Sequence, residues 1–555
     1  MSEVVQTEPI PLELSPVLSR RFALRLHHFL IATGFGLFFL YHNYIPLFHT
    51  DVWGHVAYGE WILETGQIPQ EDPFVRLAEG VHAVDTAWLG QALLATITRM
   101  GGDEWLSHAF AITILATYLM LAATFYARTG RIGIAAGGAL IVWIIASTRH
   151  AVIRPEIFGS LCFAMLLWIV VREDVRRRPG ATQAVFGRPY ASWWIVPLIF
   201  AAWANLHGSF VVGFAVLGCR FGGRVIEVLV RSRSISAVIE DAEVRRRLLL
   251  GELAVAASLL NPFGMDLLIH TFLFPSNPNL NDIVEWYRLE MVSFEGITVG
   301  LSWVLMLVVL RHSRARVSAT DVLLLGVFVL AVCLRIRMVS WYAPVAVLVL
   351  MPHLADVGLR LWGRWGGVAA ARALCRTRPA LGRTLFLRSF RYTVLTAFVL
   401  WVCFALSPFS RVVLGGKPRP PQHLYSSHTP RELTEYLRQN PPVGQIANPQ
   451  WWGDWLARSG PAELEVFMTT NAVHVAPRQV WKDYLAIARG SAGLGGRLDR
   501  YRINTVVVHK ETQIDLARLM RGRLGWDIVY EDDIGFVAQR SSVAAPRHGE
   551  TATAR

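Results

Sequence analysis

The sequence predicts a mainly α-helical membrane protein, with a polytopic bundle of about 11 spans and a small C-terminal α/β domain. Its composition is the first observation, because 53% of the 555 residues are hydrophobic and only 17% are charged. Soluble domains usually carry about 25% charged residues. The other two observations are the spacing of the apolar segments and the ordinary polarity of the last part of the chain, from about residue 420. Lipid is therefore expected to surround most of the chain.

The predicted spans are apolar segments that approach the roughly 20 residues needed to cross a bilayer. They are 28–48, 106–127, 132–148, 156–171, 191–206, 208–229, 248–264, 297–311, 319–334, 338–355 and 392–410. The first follows Arg20, Arg21 and Arg25 without a small-residue cleavage site behind it, which is typical of a retained signal anchor.

Arginine positions give the orientation. The chain has 54 Lys and Arg against 41 Asp and Glu, a net charge of +13. With a cytoplasmic N-terminus, most arginines before Arg391 fall in cytoplasmic segments, as the positive-inside rule requires. Short basic loops between apolar spans favour anionic membrane lipids as partners rather than nucleic acid.

The chain is expected to divide at changes of polarity. The predicted parts are a cytoplasmic tail 1–27, a transmembrane domain 28–411 with a first external loop 46–103, a Pro-rich linker 412–430, a soluble α/β domain 431–540 and a disordered tail 541–555. Two helices are predicted in the first external loop, at 52–63 and 86–100. The five cysteines have no spacing typical of a metal site or a disulfide framework.

Ionisable residues cluster at the external ends of the predicted spans rather than at mid-depth, and such residues mark functional sites. Asp51 and His55 are four residues apart, so on one helix they share a face. The Asp51 carboxylate could accept a proton from a hydroxyl group or hold a divalent cation. It could also be the N-cap of the helix, and these roles are compatible.

External arginines are the second set of candidates, because the charge rule disfavours them there. Arg149 and Arg154 flank one turn and Arg335 and Arg337 another, and guanidinium groups suit phosphate recognition. The alternative is pairing with Glu156, Asp282 or Glu285. His207 and the tryptophans at 451, 452 and 455 are typical of packed residues, although the tryptophans would also suit a sugar.

Several segments resemble a family of large bacterial membrane proteins related to the GT-C glycosyltransferases. They begin with Asp51-Val52-Trp53-Gly54-His55 and continue through Thr65-Gly66-Gln67-Ile68-Pro69, Asp72-Pro73-Phe74, Trp88-Leu89-Gly90-Gln91, Arg154-Pro155-Glu156, Trp203-Ala204-Asn205-Leu206-His207-Gly208, Asn261-Pro262-Phe263-Gly264 and Glu285-Trp286. The resemblance covers most of the membrane domain and implies a protein of the bacterial inner membrane.

GT-C enzymes take a sugar from a polyprenyl-phosphate or polyprenyl-diphosphate donor, with an acidic residue close behind the first span at the catalytic centre. The resemblance therefore implies that Asp51 is the base or metal ligand, that His55 assists it, and that substrate is held by Arg149, Arg154, Glu156, His207, Arg335 and Arg337. Related mannosyl- and aminoarabinosyltransferases carry an adjacent Asp-Glu pair, whereas Val52 follows Asp51 here.

The function expected is sugar transfer from a polyprenyl-phosphate donor to an extracytoplasmic acceptor. Two alternatives stay open. A transporter or flippase for lipid-linked saccharides predicts polar residues at mid-depth and an internal repeat. A non-catalytic protein of envelope assembly predicts that Asp51, His55 and the arginines point away from one another.

Overall fold

The computed structural model describes residues 23–176, 191–365 and 383–541. Most of the predicted N-terminal tail, the predicted C-terminal tail after residue 541 and the arginine-rich segments 177–190 and 366–382 lie outside these residues.

The first half of the described chain is mainly helical. In chain order they are α1 (Leu26–Tyr44), α2 (Val52–Thr65), α3 (Trp88–Gly101), α4 (Glu104–Thr129), α5 (Ile132–Ala146), α6 (Glu156–Arg176), α7 (Ala191–Leu206) and α8 (Phe210–Ser232). The two helices predicted in the first external loop are confirmed as α2 and α3. Gly66, at φ +68°, ends α2 in the left-handed conformation that glycine favours.

The second half of the membrane region continues the helical pattern. Its helices are α9 (Ile235–Glu240), α10 (Ala242–Ser258), α11 (Met265–Leu273), α12 (Phe294–His312), α13 (Ala319–Leu334), α14 (Val339–Trp365), α15 (Arg383–Leu406) and α16 (Pro408–Leu414). Short 3-10 turns occupy most of the external connection between α11 and α12, at Phe274–Ser276, Pro278–Asp282 and Val284–Trp286.

Each apolar segment predicted as a span lies wholly or largely in a helix, and 248–264 leaves its helix at Ser258. Within the described residues, three helices are long and apolar enough to cross a membrane, namely Glu104–Thr129, Phe294–His312 and Ile336–Leu361. The pair Phe390–Leu406 and Pro408–Leu414, bent by 89°, adds a fourth if it forms one span. Three shorter apolar helices are Ile132–Ala146, Trp193–Leu206 and Ala319–Leu334. The count of about 11 spans therefore stays a prediction.

The C-terminal region is a mixed sheet covered by helices, as predicted. It contains α17 (Pro421–Leu424), α18 (Arg431–Gln439), α19 (Gln450–Ser459), α20 (Arg478–Ala488), α21 (Leu494–Arg500) and α22 (Ile514–Arg521), with strands β1 (Gln445–Ala447), β2 (Glu465–Val466), β3 (Thr505–His509), β4 (Trp526–Glu531) and β5 (Gly535–Arg540). The strand order is β2-β1-β3-β5-β4; β1 pairs in parallel with β2 and β3, and the pairs β3–β5 and β4–β5 are antiparallel. The predicted domain boundaries themselves stay predictions.

The C-terminal region shares one hydrophobic core with the first external loop. Trp53 of α2 is fully buried, and its ring meets Trp455 of α19 edge-on at 4.9 Å between centroids. Leu47 pairs with Leu424 and Ser426 through backbone hydrogen bonds of 2.7 and 2.9 Å. Trp452 is also fully buried. Trp452 and Trp455 therefore pack in the interior, as the sequence predicted.

Buried ion pairs hold the same interface together. Arg419, in the Pro-rich segment, donates to Glu104 at 2.7 Å, and their side chains are only 3% and 8% exposed. Arg458 of α19 pairs with Asp103 at 2.9 Å. The C-terminal region is thus packed against the segment after α1, the start of α4 and α2.

Candidate active site

Asp51 lies immediately before α2 and does not cap it. Its carboxylate accepts no capping hydrogen bond from the helix. Instead, its Oδ2 is 2.6 Å from Nε of Arg154, which belongs to the turn before α6. The Nε–H is not aligned for a hydrogen bond, so the contact is an ion pair. Asp51 thus holds the N-cap position of α2 without a side-chain capping hydrogen bond, and its carboxylate faces Arg154.

Glu285 joins two of those arginines. Nη1 of Arg154 is 2.8 Å from Glu285 Oε1, and Nη1 of Arg149 is 3.0 Å from the same oxygen. Burial opposes ionisation of Glu285, but the neighbouring Arg154 and Arg149 outweigh it and hold its pKa far below its usual value. The sequence left open whether these arginines hold a phosphate or pair with acids. In the structure, Arg149 and Arg154 pair with Glu285.

Arg337 lies at the same site but is held mainly by an aromatic ring. Its guanidinium carbon is 4.5 Å from the centroid of Trp286, a cation–π distance, and its Nη2 is 3.9 Å from Glu156. Arg335 turns elsewhere, because its Nη1 donates to the backbone carbonyl of Trp286 at 2.9 Å. Asp282, the third acid considered, pairs with Arg478 of the C-terminal region.

His55 lies one turn after Asp51 and is enclosed. Burial lowers the pKa of His55 to about 4, against the opposing effect of Asp51, so the ring is neutral at pH 7. Its Nδ1 is 3.4 Å from Nε2 of Gln91, which also donates to Asp85 at 3.2 Å. A neutral ring beside the Asp51 carboxylate can accept or relay a proton.

His207 packs at the end of α7. Its Nδ1 lies 2.8 Å from the Ser209 hydroxyl and accepts the backbone N–H of Ser209. Close electrostatic neighbours are Glu156, Arg337 and His55. The structure therefore brings His207 to the group formed by Asp51, His55, Arg149, Arg154, Glu156 and Arg337, and leaves Arg335 at its edge.

The C-terminal region adds a carboxylate that the sequence did not single out. Asp454 of α19 is fully buried and accepts from both the hydroxyl and the backbone N–H of Thr470, the latter at 3.2 Å. Burial, reinforced by the charge of Asp51, raises the pKa of Asp454 well above its usual value. A protonated acid at this position can donate a hydrogen bond.

Three further groups surround the same centre and were also missed. Tyr58 of α2 donates to Asp72, and burial raises the pKa of Asp85 to about 6. Burial lowers the pKa of His474 to about 3, with Arg337 nearby. The sequence signals were the aromatic context Trp452-Gly453-Asp454-Trp455 for Asp454 and the segment Asp72-Pro73-Phe74 for the partner of Tyr58.

Electrostatically, the group is close to balanced. Asp51, Glu156 and Glu285 face Arg149, Arg154 and Arg337. A phosphate entering here would compete with Glu285 for guanidinium donors. Among the described residues, no group of three or more His, Cys, Asp or Glu side chains is arranged to hold a metal ion.

Known structures share this arrangement of elements. The oligosaccharyltransferase of Archaeoglobus fulgidus in its apo form matches with a TM-score of 0.53 at 11% identity, over 94% of this chain and 75% of that one. The same enzyme, AglB, in complex with an inhibitory peptide and a dolichol-phosphate matches at 0.55 and 12%, with the same coverage. Both are GT-C glycosyltransferases.

The chain has the GT-C fold. ArnT from Cupriavidus metallidurans, bound to undecaprenyl phosphate, also matches over 93% of this chain and 99% of its own length, with a TM-score of 0.47 and 14% identity. No protein-family model matches the sequence, and no curated protein matches it.

With the GT-C fold, the protein is a multi-pass membrane protein of mainly helical structure with a small sheet near its C-terminus. The resemblance seen in the sequence is thereby confirmed at the level of the fold. The individual roles of Asp51, His55 and the arginines stay predictions.

Proposed function

We propose that the protein is a membrane glycosyltransferase that moves a sugar from a polyprenyl-phosphate donor to an extracytoplasmic acceptor. The observation that carries the proposal is the position of Asp51. Its carboxylate follows the first helix, leaves α2 uncapped and lies 2.6 Å from Arg154, within a group of arginines. That combination supports the proposal, because a carboxylate can act as a base and guanidinium groups suit phosphate binding.

The proposed reaction is a single displacement with inversion at the anomeric carbon. The acceptor hydroxyl loses its proton to Asp51 as its oxygen bonds to that carbon. The bond from the anomeric carbon to the phosphate oxygen breaks, and the polyprenyl phosphate leaves with the electron pair. Arg149, Arg154 and Arg337 stabilise the negative charge that develops on the departing phosphate.

The neighbouring residues have supporting roles in this proposal. Glu285 keeps Arg149 and Arg154 side by side. The N–H groups of these arginines that Glu285 does not bind then donate to the phosphate. His55 and His207 orient the acceptor as neutral rings, and Glu156 holds Arg337 against Trp286. Arg335 has an indirect role, because it binds the backbone carbonyl of Trp286 and so positions the ring against which Arg337 packs.

The comparison with AglB supports the class of donor. In that protein, of the same fold, a dolichol-phosphate is bound. A polyprenyl-phosphate-linked sugar is the corresponding donor here. The acceptor in the oligosaccharyltransferase is a peptide, and nothing requires the same acceptor for this chain.

Sugar transfer tests the proposal directly. Membranes containing the protein are supplied with a labelled polyprenyl-phosphate sugar, and labelled product is measured. Asp51→Asn should lower the rate by at least about a hundredfold, the usual range for general-base catalysis. Asp499→Asn, on an exposed pair with Arg540, is the matched control. Undiminished transfer by Asp51→Asn would exclude Asp51 as the base.

A divalent cation held by Asp51 is a second form of the same proposal. Transfer would then fall on chelation and return with added Mg²⁺ or Mn²⁺. Transfer that is unaffected by chelation would leave Asp51 as base alone.

The alternatives make different predictions for the same group. A non-catalytic protein of envelope assembly predicts that Asp51, His55 and the arginines diverge, whereas they converge. A flippase predicts movement of lipid-linked saccharide in proteoliposomes without transfer. We also propose the bacterial inner membrane as the location, with a cytoplasmic N-terminus; a reporter protein fused after residue 541 should be accessible only from the external side.

A further inference from the structure

A cavity lies beside the site, at the junction of the membrane region and the C-terminal region. Its volume is about 430 Å³, within the range of small-molecule sites. The walls come from the end of α11, the 3-10 turns after it and the start of α20; the residues used below are His270, Leu273, Phe274, Asn277, Asn279 and Arg478. None of the residues assigned to the donor lines this cavity.

One wall continues into a surface suited to lipid. On α11, Met265, Ile269, Phe272 and Leu273 are 55%, 51%, 63% and 62% exposed. Their spacing places them on one face, while Leu267 and Leu268 are buried on the other side. A nine-residue helix is too short to span a bilayer, and an exposed apolar face on such a helix is typical of one lying in the membrane interface.

The opposite wall is polar. Two asparagines attach the segment between α11 and α12 to the C-terminal region. Asn277 donates to the carbonyl of His474, and Asn279 donates to those of Val473 and Ala476, at 2.8 to 2.9 Å. Arg478 contributes a guanidinium that is 37% exposed, with Nη1 held by Asn279 and Asp282. His270 lies at the lipid side of the cavity, and its ring is 5.9 Å from that of Phe274.

Aromatic rings lie between this cavity and the donor arginines and lead from the cavity to His474. Phe274 meets Trp286 at 5.4 Å, and Trp286 carries Arg337. Phe274 also meets His474 at 4.7 Å. His474 is within electrostatic range of both Asp51 and His55, and its buried Nδ1 has no hydrogen-bond partner among the described residues.

We propose that this cavity binds the headgroup of the acceptor, and that the acceptor is an anionic membrane lipid rather than a soluble molecule. Its acyl chains lie against the exposed face of α11, Arg478 binds its phosphate, and the hydroxyl that receives the sugar passes His474 toward Asp51. The proposal names the acceptor of the proposed transfer and so rests on that function.

Photo-crosslinking in membranes tests the occupant. A benzophenone side chain replaces Ser276, an exposed cavity residue outside the catalytic group, in the full chain. The same side chain at Phe272, on the lipid-facing side of α11, samples the bulk lipid as a matched control. Lipids crosslinked at each position are identified by mass spectrometry in membranes of phosphatidylethanolamine and phosphatidylglycerol.

We expect phosphatidylglycerol at Ser276 to be enriched about tenfold over the Phe272 control, which corresponds to about 1.4 kcal/mol of preference. Arg478→Gln should bring the ratio at Ser276 back to that of the control. Because Arg478 also contacts Asn279 and Asp282, His270→Gln is tested in parallel and should reduce the enrichment without disturbing those contacts. Equal lipid profiles at the two positions, or a crosslinked polypeptide at Ser276, would overturn the proposal.

Sugar transfer, measured in the same membranes, separates this inference from the function on which it rests. Transfer without lipid enrichment at Ser276 rejects the lipid acceptor alone. Enrichment without transfer in any membrane rejects the glycosyltransferase proposal and leaves a lipid-binding cavity.

Discussion

Asp454 of the C-terminal region lies directly against Gly54 of α2. A Cβ atom on Gly54 would stand 2.5 Å from Asp454 Oδ1, closer than such atoms approach one another. Gly54 is three residues beyond Asp51, so this contact brings a second carboxylate to the turn that follows the proposed base. The absence of a side chain at residue 54 is what allows α19 to dock there.

We therefore expect Gly54→Ala to push α19 away from α2. The overlap should lower the free energy of unfolding by about 1 to 3 kcal/mol, as for other overpacked sites, and should reduce sugar transfer. Gly34→Ala on α1 is the matched control, since no atom lies within 4 Å of a Cβ there. Thermal unfolding in detergent provides the measurement, and equal melting temperatures for the two variants would contradict the contact.

The pH dependence of stability should reveal the protonated state of Asp454. Its pKa is raised by burial, so the folded chain keeps a proton that the unfolded chain releases above about pH 4. Stability from this group is thus complete below pH 4 and declines as the pH rises, by at most about 1.4 kcal/mol per pH unit. Asp454→Asn should remove that decline, so its stability relative to wild type should increase between pH 4 and pH 7. If the difference in stability between Asp454→Asn and wild type stayed constant from pH 4 to pH 7, Asp454 would be ionised in the folded chain.

Glu285→Gln should separate stability from phosphate binding. Loss of the carboxylate leaves Arg149 and Arg154 without their shared partner, so the melting temperature without ligand should fall. The freed guanidinium groups should then bind polyprenyl phosphate more tightly, and the added lipid should raise the melting temperature more than in wild type. Glu465→Gln, on the exposed pair with Arg76, serves as the control and should change neither quantity. A smaller lipid-induced shift in Glu285→Gln would place the phosphate elsewhere.

The Arg419–Glu104 pair should control attachment of the C-terminal region. Glu104→Gln leaves a buried guanidinium short of its charge partner and is expected to cost about 3 to 5 kcal/mol. Limited proteolysis should then cleave the Pro-rich segment near Lys417 earlier than in wild type. The exposed pair of Glu435 and Arg438 gives the control Glu435→Gln, which should leave the cleavage rate unchanged. Wild-type resistance in Glu104→Gln would mean that packing alone holds the segment.

The helices could be predicted from sequence because apolar length is a local property, whereas their orientation in the membrane stays a prediction. Segments such as 106–127 and 297–311 need no partner to be recognised, and α4 and α12 extend each of them by only a few residues. The sequence also predicts a strand at Thr505–His509, since a strand buried on both faces gives a continuous apolar run. By contrast, it does not predict β1 or α19, because a three-residue strand and a helix rich in tryptophan carry little periodic signal.

At the site, the sequence identified charged groups at the ends of the apolar spans, but it missed Tyr58 and Asp85 of the first loop and the groups supplied by docking of the C-terminal region. Asp51, Arg154 and Arg337 stand out because charges are rare at the ends of apolar spans. Asp454 and His474 lie in a region of ordinary polarity, where a single acid or histidine is unremarkable in composition. Their relevance arises from the contact between α2 and α19, which no local pattern contains.

The hydrophobic core shared by the first external loop and the C-terminal region sets an order for biogenesis. His49 and Ser426, hydrogen-bonded across that core, are 377 residues apart in the chain. During synthesis the loop emerges long before its partner, so Trp53 and the apolar face of α2 stay uncovered until the C-terminal region has been made. Closing so long a loop is slow, and the waiting intermediate is prone to aggregate. A factor that shields the loop until translation ends would therefore raise the yield of folded protein more than any change in the spans.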